Sequence, residues 1–306
     1  MRIGINGSSL LGRPSIQQLI DHATQAEADG FSSWWLAQTG LVDALSVFTA
    51  AAGKATSIEF GTAVIPTYIR HPQTLAAQAL TTAAVVGDRL VLGIGLSHKP
   101  VVEHRWGMSF ERPVRHASEY LRIVNELFED GSVAFDGDFF TNHGDYALFA
   151  DAPTPSVMFA GLGPQMLKLT GARTDGTILW MVGAKTISEH IGPAMQQAAE
   201  TAGRSAPRIV TGLPVAVTDD EAGMRKQCDK MFELYGQLPS YRAMLDREGA
   251  DGPGAICVVG NEDSVREQLA AHAAAGTTDF AAVEVGTNPD EVARTRDLLK
   301  QVAAEA

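Results

Sequence analysis

Short runs of continuous apolar residues alternate along this chain with longer stretches in which apolar residues recur every three or four positions. The first pattern predicts buried strands and the second amphipathic helices. Met1 to Asn6 reads as a strand, followed by a loop from Gly7 to Pro14. Ser15-Ile-Gln-Gln18 has the form of a capping box, and Ile16, Leu19, Ile20, Ala23 and Ala26 give the helix behind it an apolar face as far as Asp29-Gly30. A second strand runs from Phe31 to Ala37, with a helix from about Asp43 to Ala55. A third runs from Ile58 to Ile65, where Pro66 stops it, and His71-Pro72 opens an Ala-rich helix to about Val86. Arg89 to Leu96 is the fourth strand.

A long connection from Ser97 to Ser109 leads to a helix opened by Glu111-Arg112-Pro113 and carried by Tyr120, Leu121, Val124, Leu127 and Phe128. Ser132 to Phe149, rich in Phe, Asp and Gly, predicts a hairpin or excursion. Val157 to Ala160 and Thr177 to Met181 are strands five and six, and Met166, Leu167 and Leu169 mark the helix between them. The next helix, near Thr186 to Thr201, contains Gly192-Pro193, which must kink or delay it. Arg208 to Val217 is strand seven. Thr218-Asp-Asp-Glu221 predicts a capped helix to about Tyr235, Gln237 to Gly254 a second excursion, and Asn261 to Ala275 a helix before strand eight, Asp279 to Val285. Asn288-Pro-Asp-Glu291 caps the last helix, with its acidic residues at the positive end.

Eight apolar strands, each followed by a helix, fit an α/β fold of the (β/α)8 TIM-barrel type, with insertions after helix four and before strand eight. The strands are apolar throughout, as expected when both faces are covered. With 306 residues, 45% of them hydrophobic, and no linker-like stretch, the pattern predicts one barrel domain over 1–306. Gly93-Ile94-Gly95 does not make a dinucleotide motif, because no helix starts directly behind it and the third glycine is absent. In a barrel, the ligand belongs at the carboxyl ends of the strands.

Charge narrows the partners. A formal net charge of −12 repels nucleic acid and anionic membranes, leaving a small molecule held by local groups. Cys228 and Cys257 have no metal-type spacing, so neither a disulfide framework nor a metal site is expected. The strand at the very start and the lack of a long apolar run predict a cytoplasmic protein without a membrane span.

The stretch Ser156 to Met181 carries the most chemistry. Gly161, Leu162 and Gly163 follow strand five directly, and Pro164 sits where a first helical turn has no use for an N–H. Two glycines let backbone amides approach a ligand, and amides at a helix N-terminus attract phosphate. Any βα turn also favours Gly and Pro, so the spacing alone leaves both readings open.

The same residues resemble the bacterial luciferase-like superfamily, particularly its deazaflavin-dependent oxidoreductases. Phe159-Ala-Gly-Leu-Gly-Pro-Gln165 and the residues to Met181 are similar to that family's fifth and sixth strands, Gly61 to Pro72 to its third, Arg89 to Gly95 to its fourth, and Trp106 to Pro113 to its approach to helix four. The similarity runs in order over almost the whole chain. It implies a hydride-transfer enzyme binding coenzyme F420, or FMN as in some relatives. The cofactor's phosphate end would lie on Gly161, Leu162 and Gly163 with Gln165 in reach. Its ring would rest on Ala63 and Val64, where relatives hold a non-prolyl cis peptide, with Gly95, Leu96, Ser97, Ala160 and Met181 completing the cofactor site.

The departures bear on mechanism. Where several relatives carry a His after strand two, this chain has Gln38, which can hydrogen-bond the ring or substrate but cannot titrate. Gln38 and His98 are the candidate catalytic residues. His98 corresponds to an acidic position in some relatives, although an exposed loop His is an equally simple reading. Reduction of a C=C, C=O or C=N bond fits better than dehydrogenation of a sugar phosphate. For Arg70 and His71 an ion pair and a helix cap are the simpler roles, and Lys185 lies where relatives place a basic residue near substrate phosphate. Of Trp34 and Trp35, at most one can face the barrel interior. An FMN-dependent monooxygenase and a non-catalytic cofactor binder are the alternatives, and pairing into a homodimer is expected by analogy.

Overall fold

Strand-forming segments that are apolar on both faces can only be stable with helices outside and side chains within, and a parallel barrel satisfies both. The computed structural model describes residues 1–150 and 152–305. Its barrel strands are β1 (Arg2–Asn6), β2 (Ser33–Leu36), β3 (Glu59–Thr62), β4 (Leu90–Gly95), β5 (Ser156–Ala160), β6 (Gly176–Trp180), β7 (Arg208–Val217) and β8 (Asp279–Glu284). All pair in parallel with their neighbours, and the barrel closes through β6 on β7 and β8 on β1.

The helices are α1 (Ile16–Ala28), α2 (Ala44–Ala51), α3 (Pro72–Val86), α4 (Pro113–Glu129), α5 (Pro164–Arg173), α6 (Gly192–Thr201), α7 (Glu221–Met231), α8 (Glu262–Ala274) and α9 (Pro289–Ala304). Caps read from the sequence are in place. Ser15 accepts from Gln18 N, Asn261 from Ser264 N and Asn288 from Glu291 N. Pro193 is accommodated by a π-turn, Ile187–Ile191, immediately before α6, where the widened backbone spacing absorbs the residue that has no N–H to give.

Several expected boundaries shift. The third strand is not continuous to Ile65. It breaks at a cis Ala63-Val64 bond, and the short strand Ile65–Pro66 then pairs with β4. The helix after β7 is capped by Asp220 rather than Thr218, whose hydroxyl instead accepts from Asp220 N. That helix also ends at Met231 instead of reaching Tyr235, and a separate turn, Glu233–Gln237, follows. The second excursion is largely helical, with Pro239–Glu248 at its centre. An unanticipated strand, Val258–Gly260, extends the sheet beside the end of β7. Three apolar residues are too few to show a period. The first excursion is a hairpin, Ser132–Asp136 with Thr141–Asp145, as expected. None of the described helices is long and apolar enough to cross a membrane.

The barrel interior holds Trp35, Val91, Met158, Ile178, Val210 and Ala281, packed against Ala63 and Val64. Trp35 takes the axis while Trp34 turns outward against Phe48 and Phe60. Gly61 makes this possible, since a Cβ there would lie 2.1 Å from the Trp35 ring.

Candidate active site

Residues two apart on a strand share a face. Counting upward from the inner layer, the next inward positions are Ala37 above Trp35, Ala160 above Met158, Trp180 above Ile178 and Gly212 above Val210. Ala63 stands beside them. Apart from Trp180, and from Val283 above Ala281, these inward positions are Ala or Gly, so the floor of the mouth is built mostly of small side chains. A flat ring can lie there without displacing core. Ala63, Val64 and Ala160 are partly accessible, whereas the strand residues beneath them are buried.

Several predicted residues meet at this floor. Gly95 pairs with Ala160, and a Cβ on Gly95 would stand 2.9 Å from Val64 Cγ2 and 3.2 Å from Ala160 Cβ. The Gln38 amide N–H donates to the Val64 carbonyl at 3.3 Å, and Gln38 Oε1 accepts from Ala44 N at 3.4 Å. This second bond leaves the side-chain NH2 as the group Gln38 can offer a ligand. Leu96 leaves the axis and packs partly buried on the main core. Met181 does likewise. It is 1% exposed, and the alternation that turns Trp180 inward turns Met181 out among the helices, so only its backbone borders the mouth. Ser97 and Met181 have φ of 62° and 52°, the left-handed region that residues with a Cβ enter at a cost of roughly 1–2 kcal/mol. Both lie where a strand gives way to the mouth.

The turn after β5 leaves its backbone amides without a side-chain cap. Gly163 is the N-cap of α5 and makes no side-chain cap, Pro164 occupies the first turn, and Gln165 is exposed. The two glycines differ in purpose. A Cβ on Gly161 would meet Met166 Cγ at 2.5 Å, a packing requirement, whereas a Cβ on Gly163 would meet nothing within 4 Å. The turn is held from behind by His190, whose Nε2 donates to the Leu162 carbonyl at 3.0 Å.

Elsewhere around the mouth the corresponding amides are already taken. Asp43 accepts from Ser46 N at 2.8 Å and His71 from Gln73 N at 3.3 Å. Glu248 takes Lys185 N at 3.1 Å and Thr186 N at 2.7 Å, and Asp220 takes Gly223 N at 2.9 Å. Glu291 takes Thr287 N at 2.7 Å. Arg70 pairs with Asp43 at 2.6 Å, so Arg70 and His71 have the ion-pair and cap roles expected of them. Lys185 presents an exposed side chain, but the amides beside it are filled by Glu248.

His98 is half-buried, with Tyr235 at 6.0 Å and Tyr241 at 5.6 Å between ring centroids, both edge to face. Burial lowers its pKa, so it is a neutral imidazole near pH 7. The aromatic residues Phe232, Tyr235 and Tyr241 escaped the reading of individual residues. The one signal for them was the predicted excursion at Gln237 to Gly254, which contains Tyr241.

A family model described as luciferase-like monooxygenase matches residues 2–294. An F420-dependent glucose-6-phosphate dehydrogenase of Kineococcus radiotolerans is 27% identical over 237 residues, which is 72% of this chain and 69% of that protein. Among solved structures, an F420-dependent secondary alcohol dehydrogenase superposes with a TM-score of 0.79 at 19% identity, covering 98% of this chain and 97% of the other. The oxygenating constituent of 3,6-diketocamphane monooxygenase from Pseudomonas putida, in complex with FMN, also gives 0.79, at 18% identity over 100% of this chain and 97% of its own. With the family's model matched across nearly all of the barrel, the chain belongs to the luciferase-like monooxygenase family, a family of oxidoreductases.

Proposed function

We propose that this protein binds coenzyme F420 across the mouth of the barrel and transfers a hydride between it and a small organic substrate. The observation that carries this reading is the pairing of a floor of small residues with a helix N-terminus beside it, at Gly163, that has no side-chain cap. A planar ring with an anionic tail needs both. The residues fit the group: Ala63, Val64, Gly95 and Ala160 leave room for the ring, and the amides of the Gly161 to Gln165 turn, with no side-chain cap among the described residues, suit a phosphate. Similarity to an F420-dependent dehydrogenase over 72% of the chain supports the choice of cofactor.

When bound, the deazaflavin supplies the two-electron redox chemistry. The chain supplies orientation, exclusion of water and a polar edge. Gln38 NH2 donates one hydrogen bond at the mouth, and His98, neutral through burial, offers one ring N–H and one acceptor nitrogen. It is through a nitrogen of His98 that we route a proton to or from the substrate, because Gln38 cannot titrate.

Titration of the purified protein with F420 and with FMN, followed by cofactor fluorescence and by melting temperature, tests this reading. Saturable F420 binding that stabilises the fold is expected. Stabilisation by FMN alone overturns it in favour of a flavin monooxygenase, the reading that the likeness to an FMN-containing enzyme keeps open.

A further inference from the structure

The mouth is covered by aromatic rings rather than by charge. Trp180, at the end of β6, packs edge to face with Phe232 at 5.6 Å and with Tyr235 at 6.0 Å between centroids. Tyr235 meets Tyr241 at 5.0 Å, and both close on His98 from the loop after β4. Three separate parts of the chain thus build one aromatic wall. Trp180 lies over Gly212, where a Cβ would come within 3.1 Å of its ring, so the wall is anchored on the floor itself. Its members are only partly buried, unlike the wholly buried Trp34 and Trp35.

Filled helix caps disfavour one class of occupant. Barrel enzymes commonly hold a substrate phosphate at the loops after the last two strands. Here the helix starts at those places are occupied by Asp220, Asn288 and Glu291, and Arg294 is committed to Glu262 and Asp219. After β6 the amides belong to Glu248. Of the helix starts compared, that of α5 has no side-chain cap, and in the reading above the cofactor's own phosphate would use it. Aromatic faces are negative and repel an anion, but they stack well on neutral rings.

We propose, resting on the cofactor reading above, that the substrate is a small neutral ring compound. It would be clamped between the cofactor and the wall of Trp180, Tyr235 and Tyr241, its polar edge on His98, and it would carry no phosphate or other anionic group. Tyr235 sets this specificity, since it touches every other member of the wall: Trp180, Phe232, Tyr241 and His98.

The test is calorimetric titration of 1,4-naphthoquinone, 2-cyclohexen-1-one and glucose 6-phosphate into protein with and without F420. The two neutral rings are expected to saturate and glucose 6-phosphate not to. Tyr235→Ala weakens the neutral rings by about tenfold or more, the equivalent of ~1.4 kcal/mol, while F420 affinity stays within about twofold. Tyr235→Leu retains a larger apolar side chain than alanine but also loses stacking, so it shows the same direction if the alanine variant unfolds. Saturable glucose 6-phosphate binding that Lys185→Ala removes overturns the inference, as does neutral-ring affinity unaffected by either Tyr235 variant. Failure of F420 and FMN to bind at all sinks the cofactor reading, and titration of the cofactor-free protein still reports on the wall.

Discussion

Gly161 and Gly163 sit two residues apart and look alike in sequence, yet they answer different physical demands. Gly163 has φ of −79° and ψ of 154°, an extended conformation open to any residue, and its missing Cβ faces open space. Gly163→Val is therefore expected to leave the unfolding midpoint unchanged, within about 0.5 kcal/mol, while weakening F420 by about tenfold or more as the new side chain blocks the amides. Gly161→Val should do the reverse first, costing about 1–3 kcal/mol by overpacking Met166. Thermal denaturation and fluorescence titration of the two variants separate ligand space from core space. Sequence alone marks both residues as a loop where backbone is bare. It cannot say which one is bare for the sake of its own core.

At the scale of elements, local signals were the most readable. Capping residues, N-terminal prolines and helical spacing act over three or four positions, and the structure has helices where those signals stand at Ser15, His71, Pro113, Pro164, Asn261 and Asn288. The hairpin after α4 was visible as an excursion, but its attachment was not. Glu119, 2% exposed, accepts from Asp138 N at 3.0 Å, Phe139 N at 2.8 Å and Phe140 N at 3.2 Å, and pairs with Arg115. Burial alone would raise its pKa, yet these bonds hold it below the usual range. Glu119→Gln exchanges a carboxylate for an amide whose NH2 faces those donors, and is expected to cost about 1.5–3 kcal/mol in urea denaturation. Loss of the hairpin's amide protection in hydrogen exchange would accompany it. Glu248 is the same device across the mouth, capping Lys185 and Thr186 from 62 residues away or more, a distance no local pattern reports.

At the scale of the whole molecule, the end of the barrel opposite the mouth is sealed by charge. Arg208 reaches Glu59 and Asp279, each at 2.8 Å, and Arg2 Nε joins Asp279 at 2.7 Å, bringing the starts of β1, β3, β7 and β8 together. Burial opposes ionisation of Asp279, but Arg208 and Thr278 hold its carboxyl below its ordinary value. Arg208→Met leaves the buried Asp279 with Arg2 as its one remaining cation, beside the Thr278 hydroxyl, and is expected to cost about 3–5 kcal/mol, measurable by chemical denaturation. Buried histidines contribute to the acid response, His116 and His272 with the largest shifts. Burial pushes His116 and His272 from 6.5 down to about 4, against weak opposition from Glu119 and Glu248. The unfolded chain takes up these protons near pH 6.5 and the folded chain only near pH 4. Stability is therefore complete above pH 6.5 and falls as pH drops through that window, with each histidine contributing up to about 3 kcal/mol. Urea denaturation at pH 7.5 and pH 5 should show the loss, and His272→Gln should flatten it if the variant folds. An unchanged slope in that variant would assign the loss to other groups.

Because strand and helix periods are local and a parallel barrel is what eight such units can close into, the amino-acid sequence by itself determined the architecture of this protein and its family, and marked the Gly-rich turn after β5 as a place where backbone is bare. Tertiary structure alone decided the rest. Alternation along closed strands selected Trp180 rather than Met181 for the mouth, Glu248 reached back to fill the amides of Lys185 and Thr186, and His98, Trp180, Tyr235 and Tyr241 became one wall. Those outcomes depend on which residues meet when the barrel closes, and contacts between positions so far apart leave no period or motif along the chain.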